Sequence, residues 1–159
     1  KHIDKVDILI NNAGLLYVKP LTELTYEQIS SMLEVNYLAP ILLIKQLIPL
    51  MDTGSHVVNI SSMGGFQGSA KFPGLSVYAS SKAALASATE NLAEEFKSTG
   101  ITFNCLALGA TDTEMLRNAF PGYKAPLTAQ EMASFIAYFA QNGNRFFNGK
   151  ILPVSVSTP

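Results

Sequence analysis

The chain has 159 residues, 48% of them hydrophobic and 14% charged, with a formal net charge of −1. That length suits one domain with a sizeable core, and the composition excludes a disordered chain. Lys and Arg are scattered rather than gathered into a basic stripe for nucleic acid or an anionic membrane, and no uninterrupted apolar run reaches the roughly 18 residues of a membrane span.

The single cysteine, Cys105, lies in an apolar stretch and reads as a buried structural thiol. One cysteine forms no disulfide within the chain, which is compatible with a reducing compartment, and the expected location is cytoplasmic. No signal-peptide pattern stands at the start. Asn59-Ile60-Ser61 matches a glycosylation sequon, but it falls in an expected buried strand and is discounted.

In chain order, residues 6–10 are a short apolar run ending in Asn11-Asn12-Ala13-Gly14. Thr25 and Gln28 have capping-box spacing and open a helix over 26–47. Residues 57–60 form a second apolar run, ending in Ser61-Ser62, and 64–74 read as a loop. A helix over 77–98 follows, with Leu85, Ala88, Leu92 and Phe96 at helical spacing and Gly100 as its stop. Residues 101–108 are a third apolar run, and 115–126 a second loop. Thr128 and Glu131 repeat the capping signature, and Asn148-Gly149 turns the chain into a last strand over 150–156. Short apolar runs alternating with helices predict an α/β, doubly wound, mostly parallel sheet with flanking helices, as one domain over 1–159. In such a sheet, ligands bind beyond the C-terminal ends of the strands.

Tyr78 and Lys82 are four residues apart, on one face of the second helix. A cation beside a phenol favours the phenolate, so the pair could exchange a proton with a carbonyl or alcohol oxygen. The spacing alone is weak: with 6 Tyr in 159 residues, chance supplies roughly 0.3 such pairs, and a solvated surface pair is the bland alternative. Asn36 lies four residues before Pro40, which has no N–H, so the carbonyl of Asn36 loses its regular helical partner. A proline kink without chemical meaning is the alternative there. Ser61 and Ser62 could simply cap a strand end. His2 and His56 have no partners at ligand spacing, so no metal site is expected.

The order of these segments resembles the short-chain dehydrogenase/reductase family. The matching pieces are Asn-Asn-Ala-Gly at 11–14, Asn36 in Glu-Val-Asn-Tyr, Val-Asn-Ile-Ser-Ser at 58–62, Tyr-Ala-Ser-Ser-Lys at 78–82 and Leu-Gly-Ala-Thr-Asp-Thr at 108–113. The similarity covers essentially the whole chain. It implies a partial Rossmann-like fold and an NAD(P)-dependent oxidoreductase that interconverts a carbonyl and an alcohol. It implies Tyr78 as general acid or base, Lys82 lowering its pKa and meeting the nicotinamide ribose, Ser62 holding the substrate oxygen, and Asn36 in a proton relay. Asn11, Ala13, Gly14, Gly109, Thr111 and Thr113, with Tyr78 and Lys82, are the implied contacts to NAD or NADP. Leu108 stands where the family usually has proline, so that loop is expected to be less rigid.

The span from Ser62 to Tyr78 is longer than the family's, and Phe66, Gln67, Lys71, Phe72 and Pro73 are expected to lie over the substrate site. Met115, Leu116, Phe120 and Tyr123 are expected to line a flap opposite. The family's Gly-rich turn, T-G-x-x-x-G-x-G, is absent, so the sequence reads as a C-terminal catalytic portion whose first strand would expose an apolar edge. The implied partners are a small carbonyl or alcohol substrate and a homodimer or homotetramer through the helices at 26–47 and 77–98. The competing reading is a noncatalytic fragment serving as an oligomerisation or binding module. Sugar-nucleotide epimerases share the Tyr-x-x-x-Lys pair, but the matches at 11–14 and Asn36 favour the short-chain branch.

Overall fold

A computed structural model describes residues 3–156; His2 lies outside them. The strands β1 (Ile8–Asn11), β2 (His56–Ser62) and β3 (Thr102–Leu108) pair in parallel in that order. Between β1 and β2 runs one long helical rod: α1 (Tyr26–Leu33), a π-helical segment (Glu34–Leu38), and α2 (Ala39–Leu47). Helix α3 (Ser76–Glu95) links β2 to β3. A second, two-stranded sheet of β4 (Thr111–Asp112) and β5 (Leu127–Thr128) brackets α4 (Glu114–Ala119). Helix α5 (Ala129–Asn142) then leads to β6 (Lys150–Val154), which pairs in parallel with β3.

The local signals explain most of these boundaries. Both capping boxes form, at Thr25 with Gln28 and at Thr128 with Glu131. Gly100 and Gly149 turn in the left-handed region (φ 76° and 67°), which side chains disfavour. Pro40 does not end its helix. It stands at the first turn of α2, after a segment in which the N–H of Ala39 reaches back five residues to Glu34. A π-bulge absorbs the missing donor, so the rod continues to Leu50 through a 3-10 turn. With its interruptions bridged, this 25-residue rod is the one helix among the described residues long and apolar enough to cross a membrane by length and composition. In the fold it buries Met32, Asn36, Pro40 and Ile44.

The side chains of β2 and β3 alternate between two cores. Val57 and Phe103 join Leu9, Ile44, Met51, Ala93 and Ile101 on the face covered by α2 and α3. Val58, Ile60 and Leu106 join Phe139 and Ala140 of α5 on the other. Full burial of a side chain such as Phe103 contributes about 1.5–3 kcal/mol. Because the order β1-β2-β3-β6 advances in one direction while α5 lies across the sheet from α3, the last crossover has the opposite hand to the one before it. Parallel crossovers are nearly always right-handed, so one link here departs from the rule. The expected apolar edge is present at β1, where Ile8 and Ile10 remain exposed.

Candidate functional site

Residues that the sequence placed after strands meet at the C-terminal end of the sheet. A Cβ on Gly14 would lie 3.6 Å from Asn36 Oδ1, 3.6 Å from Lys82 Nζ and 3.7 Å from Met115 Cε. Four segments distant in sequence therefore close on one point. The expected flap is partly the short helix α4, and its Met115 reaches this point.

Asn36 is fully buried, and its side chain is occupied. Its Nδ2 donates to the carbonyl of Leu15 (2.8 Å) and to Ser81 Oγ (3.0 Å), while Oδ1 accepts from the N–H of Leu15 (2.8 Å). The amide thus pins the loop after β1 to α3. Its own carbonyl faces Pro40 at the regular helical partner position and gains no bond there.

Lys82 is buried, and its Nζ donates to the carbonyl of Ile60 at 2.9 Å. Burial lowers its pKa to about 8, with the neighbouring Cys105 acting in the opposite direction. The Tyr78 hydroxyl lies close to that of Ser62. Burial raises the Tyr78 pKa, and the nearby Ser62 hydroxyl, which favours the phenolate, opposes it only in part. This differs from the expected lowering: loss of water around the phenolate outweighs any help from a cation whose own charge is destabilised by burial. Ser62 also accepts from the N–H of Gly64 at 3.2 Å, so its strand-end capping role is real as well.

The other expected contacts divide. Asn11 is buried and donates to Asn59 Oδ1 at 2.7 Å, tying β1 to β2, while Ala13 is exposed. Gly109 continues the ladder through its N–H to the carbonyl of Val154 at 2.8 Å. A Cβ there would lie 2.7 Å from the Cβ of Ser155, so close packing alone requires glycine. Leu108 is the last residue of β3, opposite Val154. Thr111 is buried and bonds back to the carbonyl of Gly109 at 3.3 Å. Thr113 caps α4 by accepting from the N–H of Leu116 at 3.2 Å.

Phe66, Gln67, Lys71 and Phe72 border a cavity of about 510 Å³ whose floor is Ala79 and Ala83. At about 100° per residue, those two positions lie roughly 100° around the helix from Tyr78 and Lys82. Lys71 Nζ bonds three oxygens, those of Gly64, Phe66 and Ser69, which folds the loop on itself.

Sequence reasoning passed over a buried polar chain beneath the site. Asn59, in the discounted sequon, is fully buried and donates to Thr89 Oγ1 at 2.9 Å, and Thr89 donates to the carbonyl of Leu85 at 2.8 Å. A polar residue inside an apolar run was its only signal. Cys105 is buried with its pKa raised to about 11 by burial, which suits the structural reading. Among the described residues, no three His, Cys, Asp or Glu side chains gather as metal ligands.

The profile of the short chain dehydrogenase family matches residues 1–124. The chain is 28% identical over 139 residues to an uncharacterized oxidoreductase of Staphylococcus epidermidis, covering 86% of this chain and 59% of that protein. It is 30% identical over 161 residues to the 3-oxoacyl-(acyl-carrier-protein) reductase of Chlamydia muridarum, covering 94% of this chain and 64% of that one. A short chain dehydrogenase from Burkholderia cenocepacia in complex with NADP superposes with a TM-score of 0.83 at 29% identity, over 95% of this chain and 64% of that one. The chain therefore spans about three fifths of the length of such relatives. On its sequence, its parallel sheet and the placement of these segments, the chain belongs to the short-chain dehydrogenase family.

Proposed function

We propose that this chain carries the reaction centre of an NAD(P)-dependent oxidoreductase that interconverts a carbonyl and an alcohol, with Tyr78 as general acid or base. The observation that supports it most is the Tyr78–Ser62 hydroxyl pair at the end of β2, with the Lys82 ammonium one helical turn from Tyr78. Two hydroxyls donating to one oxygen would polarise a carbonyl and hold it in place. A raised Tyr78 pKa keeps the phenol protonated near neutral pH, the form that gives a proton to a reduced carbonyl oxygen. With a pKa of about 8, Lys82 can hold or release a proton in the same range. The carbonyl of Asn36, whose regular helical partner position is held by Pro40, offers an acceptor for such a proton relay.

The residues fit a nicotinamide nucleotide. Lys82 Nζ has three N–H donors and Gly14, with no side chain, leaves the space beside it open. NAD or NADP would supply the hydride; Lys82 would meet its ribose, and the segments at Asn11, Ala13, Gly14, Gly109, Thr111 and Thr113 would border it. The NADP complex of the Burkholderia relative supports this reading. Self-association through α1–α2 and α3, as homodimer or homotetramer, is supported by Leu38, Leu42 and Leu43, which stay exposed along the rod.

The test is a screen of ketones and alcohols with NADH and NADPH using the full-length protein, followed by Tyr78→Phe. Turnover should fall at least roughly 100-fold, while binding of the reduced cofactor, read by its fluorescence, persists. Turnover of Tyr78→Phe at the parent rate would refute the assignment.

A further inference from the structure

Ser62 stands on β2, whereas Tyr78 and Lys82 stand on α3. Their convergence therefore depends on the axial register between strand and helix. A slip of one residue moves a helical side chain by about 1.5 Å and turns it by about 100°, far beyond what positioned chemistry tolerates.

Contacts at a single turn of α3 set that register. Ser61 is buried and donates its hydroxyl to the backbone carbonyl of Lys82 at 2.8 Å. The side chain of Lys82 returns to the same strand, its Nζ donating to the carbonyl of Ile60 at 2.9 Å. Consecutive residues of β2 thus hold Lys82 by its backbone and by its tip, and the next residue, Ser62, meets Tyr78. Just after the strand, Gly65 lies flush against the same turn. A Cβ there would be 2.7 Å from the nitrogen of Ala83 and 2.9 Å from the carbonyl carbon of Lys82. The Ser61 bond differs in kind from that of Ser81, which donates to the carbonyl of Tyr78 three residues back, as helical serines often do. Ser61 reaches across 21 residues of sequence and joins two elements.

We propose that Ser61 is a positioning residue for the reaction: its hydroxyl holds the Lys82 turn of α3 against β2, and Gly65 permits the close approach that this bond requires. The proposal rests on the carbonyl–alcohol reading of the site and concerns alignment of Lys82 and Tyr78 with Ser62.

The experiment compares Ser61→Ala, Ser55→Ala and Tyr78→Phe in the full-length protein, using a substrate found in the screen. Ser55 is a matched control: it is buried at the opposite end of β2, donates to the carbonyl of Val6 at 3.1 Å and accepts from the N–H of Asp52 at 3.1 Å. Ser61→Ala should lower kcat roughly 10- to 100-fold, leave binding of the reduced cofactor unchanged, and displace the pH midpoint of the rate. Ser55→Ala should lower the thermal midpoint but leave kcat and the pH profile as in the parent. Gly65→Ala, which pushes on the same turn from the loop, should share the kinetic signature of Ser61→Ala. Parental kcat and pH profile in Ser61→Ala, with Tyr78→Phe inactive, would overturn the role of Ser61 alone. A loss of kcat in Ser61→Ala that merely tracks its unfolded fraction, with the pH profile unmoved, would overturn it too. Parental turnover in Tyr78→Phe would overturn the reaction itself and this proposal with it.

Discussion

His56 gives the fold a calculable sensitivity to acid. It is fully buried at the start of β2, far along the strand from Ser62. Its Nδ1 lies 2.9 Å from the carbonyl of Ala140, which can only accept, so Nδ1 carries the proton. Its Nε2 lies 3.0 Å from Asn104 Nδ2 and must accept from it, because that amide also donates to the carbonyl of Phe147 at 2.9 Å. The Oδ1 of Asn104 accepts from the N–H of Lys150 at 3.2 Å. A second proton on the ring would face the Asn104 amide donor and break a chain joining β2, β3, α5 and β6. Burial accordingly lowers the His56 pKa. The folded state then binds fewer protons than the unfolded one, so stability is full above the unfolded pKa of 6.5 and is lost as pH falls from there toward the folded value. A ring wholly neutral in the fold sets the upper bound: unfolding gains at most about 1.2 kcal/mol between pH 7 and pH 5.5 from this one group. Urea unfolding of the parent and of His56→Gln at those two pH values isolates it. His56→Gln should be less stable at pH 7 by about 1–3 kcal/mol, from the interrupted chain, and the gap should narrow at pH 5.5, by at most about 1.2 kcal/mol. A gap that stays constant or widens on acidification would refute the assigned neutral ring.

Three further outcomes follow from other contacts. Asn36→Ala removes three hydrogen bonds and leaves both backbone groups of Leu15 without their amide partner, which should cost about 2–4 kcal/mol in denaturant unfolding; a change under about 0.5 kcal/mol would contradict that role. Gly109→Ala drives a methyl into Ser155 and should destabilise by about 1–3 kcal/mol, visible as a lower thermal midpoint, whereas a neutral effect would mean that β6 yields freely there. Lys82 loses its proton as pH rises through about 8, so the carbonyl-reduction rate should fall across that range. Lys82→Arg, which keeps its charge, should lack this limb in its residual activity, and an unchanged limb would assign the titration to another group.

Local physics made much of this legible in the residues. Capping at Thr25 and Thr128 involves partners three residues away, and the Tyr78–Lys82 pairing depends only on helical periodicity, so these features needed no fold to be seen. The missing N–H at Pro40 likewise marked Asn36, although the π-helical solution that keeps the rod intact came from the three-dimensional structure. The sign of the Tyr78 shift was misjudged from sequence because a neighbouring cation can be named there, whereas desolvation depends on what packs around the phenol. The loop at 64–74 illustrates the same limit. Its length and apolar residues suggested a cover, but only the fold shows that it borders a cavity together with Ala79 and Ala83 of α3.

By itself, the sequence determined the alternation of strands and helices, the capped starts of two helices, and the four residues Asn36, Ser62, Tyr78 and Lys82 as the place to look. Tertiary structure alone decided that α5 covers the sheet face opposite α3, that Met115 closes on Gly14, and that Ser61 holds the Lys82 turn. The difference is one of range. Helical periodicity and caps act over three or four residues, whereas these contacts join segments 21 or more residues apart and exist only once both cores are packed.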